Sequence, residues 1–552
     1  MIGGLGRSIA PVAGDAPRRC ACFFLARVVG LVVWASCAHA QGAASQSSGP
    51  SQAELDRADV EPAQWLTYNK GYLGYRYSSL AQINAKNVSQ LNPVCSFKLR
   101  EQGSFQNGPL VYNGVLYTTS ALGTFAVDAT TCELLWSYRH GPAYVFARNN
   151  KGAAIADGRI FRGLPDGHLI AIDAKTGALI WDRVIMDSTA GEFATAAPLV
   201  WKGMIFLGKA GGDMGIRGEM MAFRAIDGEK IWGFDLIPGP GETGSDTWKN
   251  LDSIAHGGGG TWTSFSLDRE AGLLLVPVGN PGPDFANEAR PGTNLFTNSL
   301  VALDAMTGKL QWWHQLLGPD DRDWDTSVVA AFDTADHSRL AAVAGKDGVL
   351  HVVDRTNGKL RFTTSLVSQY TNRTTPIPTD APLRLCPIAA VQWNGPAYSP
   401  GTNLLYMNGI DWCARAVKGR TPVYVKGKAY LGWANSFGDR DPIEQAFGLV
   451  NAIDPASGRL LWRFRVSSPP VAGLTATAGG LVITADVNGD LFALDAATGA
   501  LLYQTNLGVG AIDGGVVTYE AKGKQFIAVA AGDNSGTYKA KGDNTVVVLA
   551  LP

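Results

Sequence analysis

Ala171-Ile-Asp-Ala-Lys-Thr-Gly-Ala-Leu-Ile-Trp181 is the clearest of seven copies of one pattern, Ala-x-Asp-x-x-Thr-Gly-x-x-x-Trp. The others, some of them worn, are Ala126–Trp136, Ala222–Trp232, Ala302–Trp312, Val352–Phe362, Ala452–Trp462 and Ala493–Tyr503. Repetition at this period means stacked supersecondary units rather than one irregular core. In each copy an apolar strand end runs into Asp-x-x-Thr-Gly, where the Asp or Thr side chain can bond turn amides and the Gly supplies a positive φ. A second strand then delivers a Trp, whose large ring can lie flat against the neighbouring unit. A hairpin ending in an inter-unit wedge predicts an all-β fold, a β-propeller with tryptophan-docking motifs.

The spacing of the copies sets the blade count. Two intervals are long: 80 residues from Ala222 to Ala302 and 100 from Val352 to Ala452. The longer one has room for a further blade with a decayed motif, using strands at Val391–Trp393 and Leu404–Asn408. Seven visible blades and one hidden blade make eight. The 80-residue interval is expected to be one blade with a long insertion, from about Ile237 to Asn298. The closing blade should pair the end strand Thr545–Leu551 with an early strand, removing the open edge.

Composition limits the function. A net charge of −1 over 552 residues, with 46% hydrophobic residues, gives no basic surface for nucleic acid and no charged tail. The 66 Gly and 15 Trp suit short strands and tight turns. At the N-terminus, Arg18-Arg19 precede an apolar stretch from Phe23 to Trp34, and Ala38-His39-Ala40 offers a small-x-small cleavage site before Gln41. The domains expected are a signal peptide at 1–40, a flexible mature N-terminus at 41–60 and the propeller at 61–552. The apolar run is too short to span a membrane, and export to a bacterial periplasm is expected. Cys95, Cys132, Cys386 and Cys413 remain after the leader, an even set for an oxidising compartment. Three pairings are open; local pairing, Cys95–Cys132 and Cys386–Cys413, is the expectation. No Cys-x-x-Cys-His occurs, so no c-type haem is attached. Neither His-Glu-x-x-His nor a phosphate loop is present.

The insertion carries the unusual segments: His256-Gly-Gly-Gly-Gly-Thr-Trp262, Gly279-Asn-Pro-Gly-Pro-Asp-Phe285 and Arg290-Pro-Gly-Thr-Asn-Leu-Phe-Thr297. Gly208-Lys-Ala-Gly-Gly-Asp-Met-Gly215 lies upstream and Gly345-Lys-Asp-Gly348 downstream. With these, Trp65-Leu-Thr-Tyr-Asn69 and Gly479-Gly-Leu-Val-Ile-Thr-Ala-Asp486, nearly the whole mature chain resembles the pyrroloquinoline-quinone (PQQ) dependent alcohol dehydrogenases, eight-bladed quinoproteins. The resemblance implies PQQ and Ca²⁺ as cofactors and oxidation of a small-molecule or polymeric alcohol. It also implies electron transfer to an external c-type cytochrome or another acceptor.

It further implies roles by position. Asp213, standing where the family has Glu, and Asn280 would bind the metal. Trp262 would floor the cofactor, and Lys346 would stand at its reactive carbonyl. Lys151, in place of the usual Arg, would pair a cofactor carboxylate. Gln106, Thr195, Gly211 and Gly212 would complete the cofactor site. Three departures are visible: no Cys lies in Tyr144–Gly152, where the family often has an adjacent-cysteine disulfide; Asp replaces Glu at 213; and Thr293 occupies the position of the catalytic Asp. Asp284, Glu288, Asp323, Asp411 and Asp213 itself are the substitute bases to weigh. Leu295 stands where lanthanide-using relatives carry an Asp, which favours Ca²⁺. Thr293 motivates the alternative, a non-catalytic propeller serving as a binding or scaffold module.

Overall fold

In the computed structural model, which describes residues 49–101, 103–141, 149–372, 374–432 and 439–552, every copy of the repeat becomes the last two strands of a sheet. The motif's first residue pairs directly with its last: Ala126 with Trp136, Ala171 with Trp181, Ala222 with Trp232, Ala302 with Trp312, Val352 with Phe362, Ala452 with Trp462 and Ala493 with Tyr503. The turn between them is closed by its own side chain. Asp173 Oδ1 accepts from the Lys175 and Thr176 amides (3.0 and 2.8 Å) and from Thr176 Oγ1 (2.8 Å).

The aromatic ring then docks on the next sheet. Trp136 Nε1 donates to Ala174 O (3.0 Å), Trp181 to Ala225 O (3.3 Å), Trp232 to Ala305 O (3.1 Å) and Trp462 to Ala496 O (3.2 Å). The motif glycine is needed twice over. Gly177 has φ +74°, and a Cβ there would stand 2.6 Å from the Trp136 ring, a distance no side chain tolerates. Each of these four wedges therefore joins two blades through one ring and one hydrogen bond, with about 1.5–3 kcal/mol available from burial of a large apolar side chain.

Among the described residues, eight sheets of four or five strands result, together with one small three-stranded sheet. Seven carry a repeat. The eighth is Val516–Ala521, Lys524–Ala531 and Thr545–Ala550, closed by the early strand Asn92–Lys98 antiparallel to Thr545–Ala550. The expected closure is thus present, and both disulfides form as expected, Cys95–Cys132 and Cys386–Cys413. The first ties the closing strand to the turn of the first repeat.

Among the described residues, no further blade lies between Val352 and Ala452. Ala397–Ser399 and Leu404–Asp411 are the first two strands of the sheet completed by Phe447–Ile453 and Leu460–Val466. Val391–Trp393 is not a strand. The remaining length is the small sheet Leu383–Leu385, Ala414–Ala416 and Asp439–Arg440, added to one blade rather than inserted as another. The count of eight is reached instead through the closing sheet, which carries no repeat. The insertion after Ile237 is likewise divided. Part of it precedes Ser266–Asp268, part follows Leu273–Val278, and those two strands belong to the sheet of Ala302–Trp312. The expected flexible stretch at 41–60 is packed from residue 49 onward. Ser51 caps the helix Gln52–Leu55 through a capping box, and Leu55 and Ala58 are buried. The expected leader, 1–40, lies outside the described residues.

This topology sets where chemistry can gather. In an antiparallel four-stranded meander the start of the first strand and the hairpin between the second and third lie at the same end of the sheet. Around the propeller, those two kinds of loop therefore share one face.

Candidate active site

Two adjoining cavities open on that face. The first, about 320 Å³, is lined by Gln106, Thr195, Gly211, Gly212, Asp213, Trp262, Asn280, Asp325, Lys346 and Trp393, among others. Gln106, Thr195, Trp262, Asp325 and Trp393 precede first strands; Gly211–Asp213, Asn280 and Lys346 follow second strands. The second cavity, about 360 Å³, shares Asp213, Lys346, Gln392 and Thr537 with it and adds Phe285, Arg322, Asp323, Trp412 and Arg440.

Trp262 emerges from the glycine run because backbones cross there. A Cβ on Gly260 would stand 3.1 Å from the Gly212 amide. The Trp262 carbonyl accepts a hydrogen bond from Thr195 Oγ1 (2.8 Å). Two ammonium groups approach the indole: Lys151 Nζ at 4.9 Å and Lys346 Nζ at 5.5 Å from the ring centroid, within the range of a cation–π attraction. Lys151 is fully buried, and its Nζ has no hydrogen-bond partner. Burial pulls this ammonium down to about 7, against the attraction of Asp513. A buried cation without a partner is a seat for an anionic group. Gln106 is fixed between Ser104 Oγ (3.0 Å) and Asn149 Nδ2 (3.2 Å).

Four carboxylates surround Lys346. Asp323 Oδ1 and Asp325 Oδ2 lie 2.8 and 2.7 Å from its Nζ, and the other oxygen of Asp325 accepts the Asn280 amide (2.7 Å). Burial alone would depress Lys346, but Asp323, Asp325 and Asp213 outweigh it and hold the ammonium well above its ordinary value. Asp213 sits in a short turn, Gly212–Met214, between two glycines in the left-handed region. Oxygens of Asp213, Asp284 and Asp323 all lie within 4.8 Å of one another. Asp284 is fully buried and neither of its oxygens has a hydrogen-bond partner. Burial first, then repulsion from Asp213, Asp323 and Asp325, pushes its carboxyl well above the usual range. Asp323 is raised by burial, with Lys346 pulling the other way. An unpartnered carboxylate beside two more is the donor set of a hard cation, which reverses the repulsion. The residues present therefore fit a Ca²⁺-class ion, and the indole floor with its orphan ammonium fits a planar anionic cofactor.

The structure brings together Gln106, Lys151, Thr195, Gly211, Gly212, Asp213, Trp262, Asn280 and Lys346. Among the substitute bases it separates two groups. Asp284 and Asp323 join the cluster. Asp411 does not: its carboxylate accepts from the Ser368 and Gln369 amides and from Ser368 Oγ, which makes it a loop anchor. Glu288 pairs with Lys418 (2.7 Å) and Thr421 (3.1 Å). Thr293 is exposed and lines neither cavity, and its carbonyl accepts Gln315 Nε2 (2.6 Å). Its replacement of an Asp therefore leaves the carboxylate count of the cavities unchanged. The segment expected to lack the adjacent-cysteine disulfide lies partly outside the described residues. Sequence reasoning does not place Asp325 or Trp393 at the site. The acid-rich run Asp320-Asp-Arg-Asp-Trp-Asp325 is the available signal for Asp325, whereas the sequence reading puts Trp393 in a strand of the hidden blade.

Comparison with known proteins agrees with this geometry. The family profile described as "Glucose/ethanol/alcohol dehydrogenase, beta-propeller domain" matches residues 65–364, and one described as "Outer membrane protein assembly factor BamB" matches 446–545. The quinoprotein alcohol dehydrogenase PedH of Pseudomonas putida is 30% identical over 94% of this chain and 92% of its own. The lanthanide-dependent methanol dehydrogenase of Methylacidiphilum fumariolicum is 30% identical over 88% of each. The crystal structure of quinohemoprotein alcohol dehydrogenase from Comamonas testosteroni superposes with a TM-score of 0.82 at 27% identity, over 92% of this chain and 83% of that one. An all-β scaffold whose loops converge on an indole floor, two ammoniums and an acid cluster, with this coverage by relatives, places the chain in the family of PQQ-dependent quinoprotein alcohol dehydrogenases.

Proposed function

We propose that the protein is a periplasmic PQQ-dependent dehydrogenase that oxidises an alcohol to an aldehyde or ketone and passes the electrons to an external acceptor such as a c-type cytochrome. The observation that carries this reading is the buried cluster of Asp213, Asp284 and Asp323 beside Lys346 and Trp262. When bound, PQQ supplies a two-electron oxidant and the cation a Lewis acid. Trp262 would offer the flat face, while Lys151, Gln106 and Thr195 would hold the cofactor's polar groups. Asp213, Asn280 and Asp284 would be the metal-binding side chains. Asp323 is the base: it alone of the cluster is both held by Lys346 and part of the second cavity's own lining, where an alcohol would sit. There it accepts the hydroxyl proton, and a carboxyl raised by burial is a better acceptor near neutral pH than an ordinary one. Lys346 stays charged, orients Asp323 and faces negative charge developing on oxygen. Phe285 and Trp412 give the second cavity apolar wall suited to the carbon side of a substrate.

The deciding experiment is a titration of the mature apoprotein with PQQ, followed by Trp fluorescence with and without Ca²⁺, then dye reduction by a panel of alcohols. Quenching that needs Ca²⁺, followed by alcohol-dependent dye reduction, supports the reading. Absence of PQQ binding would overturn it in favour of a non-catalytic propeller. Thr293→Asp should leave turnover within about twofold, as expected of an exposed position away from the cavities.

A further inference from the structure

Among the described residues a second group of potential metal ligands lies apart from both cavities: His140, Asp166 and His168, whose ligand atoms are within 4.8 Å of one another. None of them lines either cavity. His140 follows Leu134–Arg139, the outermost strand of the first blade, and its amide is tied to Leu122 O (3.0 Å). Asp166 and His168 come from the hairpin between Arg159–Gly163 and His168–Asp173 in the second blade, a turn closed by Leu164 N donating to His168 O (2.8 Å). Two neighbouring blades thus each present donors at one seam.

The arrangement has the features of a transition-metal site. His140 Nε2 lies 3.2 Å from Asp166 Oδ2, while Asp166 Oδ1 is buried and has no partner; Asp166 as a whole is 7% exposed. The two imidazoles lie with ring centroids 4.9 Å apart. Behind His168, Asp182 Oδ1 meets Nδ1 at 2.7 Å. A carboxylate on Nδ1 selects the tautomer whose lone pair is on Nε2 and orients the ring, as the outer carboxylates of metal-bound histidines do. Two imidazoles and one carboxylate suit zinc and its neighbours better than Ca²⁺, which prefers an all-oxygen set. Donors up to 4.8 Å apart need to close by up to about 1.4 Å to reach the ~3.4 Å edge of a tetrahedron with ~2.1 Å bonds, an adjustment within side-chain rotation.

We infer that His140, Asp166 and His168 bind one divalent transition-metal ion of the zinc class, which staples the first blade to the second. Asp182 positions His168, and the fourth coordination place is left for water. Ca²⁺ and the cofactor cavity take no part.

The test uses the full mature chain, stripped with a chelator and loaded with Zn²⁺ or Co²⁺ alone. Metal analysis should find one Zn²⁺ per chain. Co²⁺ should give visible bands of a tetrahedral or five-coordinate nitrogen–oxygen site, and Zn²⁺ should raise the thermal midpoint. His140→Ala and His168→Ala should each abolish all three signals, while Asp182→Asn should weaken the ion by about 10–100-fold. Asp213→Asn, in the cofactor cavity, should keep the Zn²⁺. His168→Gln, which retains much of the volume, serves if the alanine variants fold poorly. Zn²⁺ content unchanged in His140→Ala and His168→Gln, or no Co²⁺ bands in the parent chain, overturns the assignment.

Discussion

Aspartates at the two ends of the propeller live under opposite physics. At the repeat turns, Asp128 and Asp173 each accept hydrogen bonds from two turn amides and a Thr hydroxyl, and Asp354 from one turn amide and a Thr hydroxyl. Although burial opposes it, those bonds hold their carboxyls below the ordinary value. In the acid cluster beside the cavities, Asp284 has no such partner and is pushed far up by burial and its acidic neighbours. The same side chain is a satisfied structural peg in one place and an unsatisfied charge in the other. A satisfied carboxylate has little capacity left for a ligand; an unsatisfied one is held in place by the surrounding fold until a cation or proton arrives.

The sharpest way to break this contrast is Lys346→Ala. It removes the charge that Asp323 and Asp325 both contact, so the apoprotein should lose on the order of 3–5 kcal/mol in chemical denaturation, and turnover should vanish. A loss no larger than that of a surface lysine would mean the cluster is not electrostatically strained. Asp284→Asn should act in two directions. Cation affinity, read by Ca²⁺ titration, should fall by about 10–100-fold. The metal-free protein should melt higher at neutral pH, because folding no longer has to bury that carboxylate or take up a proton to neutralise it. A lower apo midpoint would place Asp284 among the satisfied aspartates instead.

Lys151 sharpens the comparison from the cationic side. Its ammonium titrates near 7 in the buried, unpaired state, with Asp513, itself pushed up to about 8 by burial, as the nearby acid. A group held below its unfolded value favours the folded state increasingly as pH rises from about 7, since the unfolded chain then binds the extra proton. An anionic cofactor beside Lys151 reverses that preference. PQQ binding above pH 7 should therefore take up close to one proton at this residue, and none well below pH 7. Calorimetry in buffers of different ionisation enthalpy checks this, and Lys151→Arg should abolish the uptake. The smallest effect belongs to the turns. Asp173→Ala should cost about 1 kcal/mol and leave PQQ and Ca²⁺ affinities unchanged.

The repeat was readable because its physics is local. Asp, Thr, Gly and Trp fall within eleven residues, and the Ala–Trp pairing follows from that spacing. Closure by the last strand was readable because an open edge is costly. The missing eighth motif was assigned to the wrong interval because the first two strands of a blade carry no signature, so Leu404–Asp411 looked like a new blade when it was the beginning of an old one. At the site, Trp262, Lys346, Asp213 and Asn280 were legible through family resemblance. Thr293 drew attention as a lost base because the sequence shows position in a motif and not exposure. Asp325 was missed because its role depends on a lysine twenty-one positions on, held across a sheet from it.

By itself the sequence determined the repeating blade, its turn, its docking ring and the closing strand, all set by contacts between near neighbours or by an unambiguous edge; of three open cysteine pairings it favoured the one that the structure shows. Only the tertiary structure decided which carboxylates share one cluster. Asp213, Asp284 and Asp323 come from three separate loops, and nothing in any one loop shows that eight sheets packed in a ring bring them within 4.8 Å. Electrostatic environment is a property of that enclosure: chain order carries the charges, while burial and the neighbours across the cavity determine whether each is satisfied or strained.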